Sequence, residues 1–302
     1  MRCAIIGYGY WGQIVEKYVK ESELLELVGI CDPYLPQAVK LESLVEEKKI
    51  DAAIVCTPID THFEVTKYLL ENKIHVFCEK PLCKESMQVK ELYDTARTNR
   101  VLLYTDYIYT VSPSVNAMKK YLKEKEPELG KAVYVNMAIE QFGKFYPDDN
   151  VFDVIGVHML SVIAYVFDTK PGDIHIRSTE LLQKNEYGLT ESGIVRFTFG
   201  NVEGKIECSL LAHDKKRRVE IICESGLIIF DMLGSNTIQV IRHEQYAGAY
   251  REEVLYQFCY DESNNLKNVF AEFIRAVETL DMSNEKVAIQ VAESLQLINR
   301  YS

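Results

Sequence analysis

Residues 2–6, Arg-Cys-Ala-Ile-Ile, run directly into Gly7-Tyr8-Gly9-Tyr10-Trp11-Gly12, after which Trp11, Ile14, Val15, Tyr18 and Val19 recur at helical spacing. Three glycines between a strand and a helix restrict the fold more than any other stretch of the chain. The first permits a tight turn, the second lets a ligand approach the backbone, and the third lets helix and strand pack closely. The first N–H groups of such a helix are unpaired and lie at the positive end of its dipole, so phosphate oxygens suit the loop. Gly7, Gly9, Tyr10, Trp11 and Gly12 are therefore expected to line a dinucleotide site, with the pyrophosphate near Tyr10.

A second apolar run, residues 25–31, ends at Asp32, twenty residues after Gly12. An acid at this position accepts hydrogen bonds from ribose hydroxyls and repels a 2′-phosphate. No arginine follows in Pro33-Tyr34-Leu35-Pro36, so NAD is expected over NADP. The chain is then short before the next strand, residues 52–56, with room for one helix over 41–48 and a vestigial strand at 38–39. Thr57-Pro58 ends the strand, and Asp60 or Thr61 is expected to cap the helix that follows, with Phe63, Val65, Thr66, Leu69 and Leu70 on its apolar side. Next come the apolar run His75-Val76-Phe77-Cys78, the charged turn Glu79-Lys80-Pro81-Leu82, a helix over 85–98 and a strand over 101–105. This alternation predicts an α/β fold with a doubly wound parallel sheet.

In such a sheet, ligands bind beyond the carboxyl ends of the strands, which is where Lys80 falls. Past about residue 125 the pattern changes to long alternating strands at 132–141, 192–199 and 218–223, with turn signals at Gly200-Asn201 and Ser225-Gly226, and closes with helices over 266–280 and 284–299. Two domains are expected, residues 1–125 and 126–302, the second rich in long alternating strands.

A formal charge of −11 argues against nucleic-acid or anionic-membrane partners, which require phosphate neutralisation. The dense basic run Lys215-Lys216-Arg217-Arg218 is expected to be a solvated hairpin turn. The opening residues have neither the basic leader nor the small-residue cleavage site of a signal peptide, so a cytoplasmic location is expected. The eight cysteines show no CxxC pair and no Cys/His ligand spacing, so reduced thiols and no metal site are expected; Cys78 and Cys83, which bracket the Glu-Lys-Pro turn, read as small apolar residues.

Gly7 to Gly12, Asp32, Thr57-Pro58 and above all Glu79-Lys80-Pro81-Leu82 together resemble the Gfo/Idh/MocA family, the glucose-fructose oxidoreductase and inositol dehydrogenase group. The similarity extends through a helix after Ser112-Pro113 and a Leu129-Gly130 turn into a strand. It implies a Rossmann domain followed by an α+β domain with a large open, mostly antiparallel sheet for substrate binding and oligomerisation; an open sheet with one face uncovered by helices is a usual oligomer surface, so a homodimer or homotetramer is expected. It also implies hydride transfer between nicotinamide and a hydroxyl or keto carbon of a sugar, sugar nucleotide or polyol. Lys80 then orients and polarises the reacting oxygen, His158 relays the proton, and Gly7, Gly9, Tyr10, Trp11, Gly12, Asp32, Thr57, Pro58, His62, Glu79 and Lys80 contact the cofactor. Asp106, Tyr107, Tyr109 and Asp153 are expected to face the substrate.

The family's second catalytic segment holds an Asp and a His four residues apart, whereas here Asp153 and His158 are five apart and Val154 stands in the usual place of the acid. Five residues of α-helix separate two side chains by about 140°. Asp153 is consequently expected to serve only from before the first helical turn. His158, packed among Ile155, Val162 and Tyr165, has a purely structural alternative. Two other functions stay open at this point: an imine or tetrapyrrole reductase on the same plan, and a cofactor-binding regulator without turnover.

Overall fold

A computed structural model of the chain describes every residue except 48, 144, 146–147, 234–236, 247–248 and 301–302. The first part alternates strand and helix: β1 (Arg2–Ile6), α1 (Tyr10–Glu21), β2 (Glu26–Cys31), α2 (Leu41–Glu46), β3 (Ala52–Val55), α3 (Ile59–Glu71), β4 (His75–Cys78), α4 (Ser86–Asn99) and β5 (Leu103–Thr105). The strands form one parallel sheet in the order β2-β1-β3-β4-β5. Every residue of β3, and all of β1 beyond Arg2, is buried, as in a parallel sheet covered on both faces.

Residues 38–39 form no strand. Val39 N–H makes a single bond to Ile30 O at 3.0 Å, and the sheet ends at β2. The helix expected over 41–48 ends at Glu46, and position 48 lies outside the described residues. α3 begins directly after Pro58, so Asp60 and Thr61 lie inside its first turn instead of capping it. There Thr61 Oγ1 donates to Pro58 O at 2.7 Å, and Asp60 pairs with Lys84 at 2.8 Å.

The chain continues through a short 3-10 turn (Ile108–Val111), α5 (Pro113–Glu124), α6 (Glu126–Leu129), β6 (Ala132–Phe142), a π turn (Phe152–Gly156), α7 (Val157–Val166), and seven strands: β7 (His175–Lys184), β8 (Thr190–Phe199), β9 (Val202–Ser209), β10 (Leu211–Cys223), β11 (Gly226–Asp231), β12 (Thr237–Tyr246) and β13 (Ala249–Cys259). Ser112 Oγ caps α5 by accepting from Val115 N–H at 3.2 Å, with Pro113 at the first helical position. The eight strands form a mixed sheet, β13-β12-β11-β10-β6-β9-β8-β7, in which only β6 and β9 pair in parallel. Gly200-Asn201 makes the two-residue turn between β8 and β9, with Gly200 at φ 51°.

The basic run at 215–218 is not a hairpin turn. β10 extends back to Leu211, and Lys216, Arg217 and Arg218 lie opposite Glu140, Ile139 and Ala138 of β6. A neighbouring strand pairs with Lys216 to Arg218, which outweighs the preference of a local charge cluster for a turn.

Two helices close the chain, α8 (Asn265–Thr279) and α9 (Asn284–Asn299). The molecule divides into Met1–Tyr107 with Leu266–Ala292, and Ile108–Asn265 with Glu293–Ser302. This differs from the expected division at residue 125, because the closing helices return to the first unit. Phe77 of β4 lies 4.8 Å from Phe270 and 5.5 Å from Phe273, ring centre to ring centre, contacts worth about 0.5–1.5 kcal/mol each beyond their buried area. Asn284 Oδ1 accepts from Thr105 N–H at 2.8 Å and from Tyr93 OH at 3.2 Å, satisfying polar groups at the end of β5. Among the described residues no helix is long and apolar enough to cross a membrane.

Candidate functional site

Because the first sheet is parallel, the carboxyl ends of all five strands lie along one edge, and each expected site residue of this unit follows a strand end. Backbone bonds join them in sequence: Gly7 N–H to Cys31 O at 2.8 Å, Cys56 N–H to Ile6 O at 2.7 Å, Glu79 N–H to Val55 O at 2.9 Å and Asp106 N–H to Cys78 O at 2.8 Å. The strand ladders thus extend one residue further and fix the glycine loop, Thr57, Glu79-Lys80 and Asp106 in one row.

The three glycines have different surroundings. A Cβ on Gly7, whose φ is 92°, would lie 2.8 Å from Cys56 C and Thr57 N, and one on Gly12 would lie 2.2 Å from Gly7 O. A Cβ on Gly9 would meet nothing within 4 Å, so its missing side chain leaves open space over the start of α1. No acid occupies the first turn of α1, which leaves its positive end uncompensated. Tyr10 is largely exposed, while Trp11 Nε1 and Thr57 Oγ1 are buried with no hydrogen-bond partner among the described residues. An open backbone cradle flanked by unsatisfied polar atoms fits a ligand that brings its own acceptors and donors. Asp32 is held by two backbone donors, Tyr8 N–H at 2.7 Å and Tyr34 N–H at 2.8 Å, which set the direction of its carboxylate at the end of β2.

Pro58 is exposed immediately before α3. His62 is placed differently from a residue that touches a ligand. It is 1% exposed, with Nε2 2.8 Å from Thr57 O and Nδ1 3.0 Å from Pro81 O. It braces the Thr57-Pro58 and Lys80-Pro81 turns from behind, because its place on the first turn of α3 points it toward the sheet.

The Lys80-Pro81 bond is cis. Lys80 is half-buried at the end of β4, and its backbone N–H donates to Glu79 Oε2 at 3.2 Å. The Glu79 and Asp106 carboxyls are both buried and near enough for each to act on the other's charge, and Glu79 Oε1 and Asp106 Oδ1 have no hydrogen-bond partner among the described residues. Burial, and then the Asp106 charge, push Glu79 well above the ordinary carboxylate range. Burial pushes Asp106 up to about 6, against the opposing effects of its interaction with Glu79 and of the Lys80 ammonium. Two neighbouring carboxylates in a desolvated site repel each other, which favours a proton on Glu79. Asp106 could be recognised from sequence only as an acid following a strand. Tyr107, expected to face a substrate, is 1% exposed and belongs to the core.

All eight cysteines are free. Burial pushes the thiols of Cys78 and Cys83 up, Cys83 to about 12, so both stay neutral beside the Glu-Lys-Pro turn. Among the described residues no group of three or more His, Cys, Asp or Glu side chains is placed to hold a metal ion.

In the second unit, the fifth residue between Asp153 and His158 is absorbed locally. Val157 N–H bonds back to Phe152 O, five residues away, so the segment makes a π turn before α7 begins. A π turn inserts one residue, and five positions across it turn roughly as four do in an α-helix, leaving about 40° instead of 140°. Asp153 thus lies before the first turn of α7. Asn150 Oδ1 caps the turn by accepting from Phe152 N–H at 2.8 Å and Asp153 N–H at 3.3 Å. Asn299, near the chain end and unmarked in the sequence, accepts from Asn150 Nδ2 at 2.9 Å and donates to Asp153 Oδ1 at 3.0 Å. Asp153 is 4% exposed. His158 is half-buried, with the Tyr109 ring edge-on at 5.2 Å.

Residues 1–107 match the model of an oxidoreductase family with an NAD-binding Rossmann fold. Among curated proteins, 2,7-anhydro-N-acetylneuraminate hydratase of Mediterraneibacter gnavus is 27% identical over 145 residues, 45% of this chain and 38% of that protein. Among solved structures, UDP-N-acetylglucosamine 3-dehydrogenase GnnA of Acidithiobacillus ferrooxidans superposes with a TM-score of 0.80 at 18% identity, covering 99% of this chain and 96% of that one. KijD10, a 3-ketoreductase of Actinomadura kijaniata in complex with NADP and TDP-benzene, gives 0.81 at 16% identity, covering 99% and 97%. At these identities the two structures establish the shared two-part fold.

Proposed function

We propose that the chain, which belongs to the Gfo/Idh/MocA oxidoreductase family by way of the NAD-binding Rossmann fold of residues 1–107, is an NAD(P)-dependent dehydrogenase or reductase acting on a hydroxyl or keto carbon of a sugar, sugar nucleotide or polyol. The observation that supports this most is the row formed at the strand ends by the glycine loop, Thr57 and Lys80, in which the lysine is backed by the buried Glu79–Asp106 pair.

Gly7, Gly9 and Gly12 with Tyr10 and Trp11 would hold the pyrophosphate, Asp32 the adenosine ribose, and Thr57, Pro58 and Glu79-Lys80 the nicotinamide end. Bound there, the nicotinamide accepts or supplies the hydride. Lys80 donates a hydrogen bond to the reacting oxygen and stabilises negative charge on it as the carbon is oxidised or reduced. The Glu79 and Asp106 carboxyls attract the Lys80 ammonium. His158 is the proton relay for that oxygen, and Asp153, fixed by Asn299, is a positioning residue on the same segment. The Asp32 carboxylate, with no arginine in residues 33–36, favours NAD over NADP.

The test is NADH or NADPH oxidation and NAD(P)⁺ reduction across a panel of sugars, sugar nucleotides and polyols. Turnover of at least one member, faster with the non-phosphorylated cofactor, is the expected result. Cofactor binding without turnover across the panel would replace this reading with that of a non-catalytic binding protein.

A further inference from the structure

Neighbouring rows on β6 and β10 both change character at the same end of one sheet face. On β6 the buried side chains Val135, Met137 and Ile139 are followed two residues on by Gln141, and on β10 Ile221 and Val219 are preceded by Arg217, which lies opposite Ile139. Side chains alternate between faces along a strand, so Gln141 and Arg217 continue the rows that build the core of this unit. Arg217 is half-buried, and its Nε is enclosed without a hydrogen-bond partner among the described residues.

The partners of this guanidinium are neutral. Nη1 donates to Tyr109 OH at 3.1 Å and Nη2 to Gln141 Oε1 at 3.2 Å. Its neighbours in the basic run do have carboxylates, Lys216 with Glu140 at 3.5 Å and Arg218 with Glu220 at 2.7 Å, whereas among the described residues no carboxylate pairs with Arg217. A partly desolvated cation held in position by neutral groups keeps its charge for another anion, and the planar guanidinium fork suits two anionic oxygens. Tyr109 links this cation to His158, whose ring lies 5.2 Å away.

We propose that Arg217, oriented by Tyr109 and Gln141, is the recognition point for an anionic group of the substrate, a phosphate or a carboxylate, and so restricts the enzyme to charged sugars. The inference rests on the dehydrogenase reading above, and its test uses binding alone. Titration calorimetry on the intact protein would measure UDP, UDP-N-acetylglucosamine, glucuronate and the uncharged N-acetylglucosamine, at two salt concentrations. At least one anionic ligand is expected to bind, more weakly at high salt, and Arg217→Gln should weaken it by about tenfold to a hundredfold. Arg217→Lys should lose less, and Lys215→Gln, the same charge change at an exposed neighbour, should lose nothing. Loss confined to UDP compounds identifies a phosphate as the anion; loss confined to glucuronate identifies a carboxylate. Equal affinity in wild type and Arg217→Gln, no binding by any anionic ligand, or equal binding of the uncharged sugar overturns the proposal. NADH and NADPH titrated into the same variants separate the two readings, since absence of binding of both in the wild type sinks the dehydrogenase assignment whatever the anions do.

Discussion

The Glu79 carboxyl neighbours the Asp106 carboxyl, both of them buried, at the turn that carries Lys80. The first follows β4 and the second follows the adjacent strand β5, and Asp106 N–H is tied to Cys78 O at 2.8 Å. Two acids in a parallel sheet become neighbours only because their strands pair in register, Cys78 with Thr105.

Asp106 titrates near 6 in the folded protein and in the ordinary aspartate range when unfolded. Between about pH 4 and 6 the folded state therefore binds more protons, and the contribution of Asp106 to stability is full at the acid end and is lost as pH rises through about 6. Asp106→Asn cannot ionise, so it should gain on the wild type over that window and keep the advantage above it, by on the order of 1–3 kcal/mol. Denaturant titrations at pH 4.5 and pH 8 would measure this. A difference between the two proteins that does not change with pH refutes the account.

Lys80→Ala should lower turnover by roughly 10²- to 10⁴-fold while NADH binding is largely kept, because the lysine acts on the reacting oxygen. Steady-state kinetics combined with NADH fluorescence would check both halves. Near-wild-type turnover removes Lys80 from the chemistry.

Gly9→Ala and Gly12→Ala should separate binding from folding. The new methyl at Gly12 meets Gly7 O at 2.2 Å, so the loop must shift, at a cost of about 1–3 kcal/mol in stability. At Gly9 it enters open space, so the melting temperature should hold while NADH binding weakens roughly tenfold, equivalent to about 1.4 kcal/mol. Equal NADH affinity in Gly9→Ala and wild type would mean that the pyrophosphate does not lie over this glycine.

Asn299→Ala removes a donor from the buried Asp153 carboxyl and an acceptor from Asn150, and should cost about 1–3 kcal/mol in urea unfolding. His158→Asn should leave stability nearly unchanged and alter the pH dependence of kcat/KM. An unchanged pH profile assigns His158 to packing beside Tyr109.

The first unit could be read largely from sequence because its determinants are local. Strand, glycine loop and helix follow one another within residues 2–21, and an acid or a lysine directly after an apolar strand lies at the ligand-binding edge of any parallel sheet. The misread features depended on partners distant in sequence. Lys215 to Arg218 look like a solvated turn until β6 pairs with them. His62 looks like a ligand contact until its ring is found between Thr57 O and Pro81 O. The spacing of Asp153 and His158 looks disabling until a π turn absorbs the added residue, and the amide that fixes the acid belongs to Asn299, 146 residues away. Sequence alone determined the order of elements and the residues at the strand ends, since these follow from periodicity and turn chemistry. Only the tertiary structure decided which charges are compensated, because burial and pairing are properties of neighbours in space.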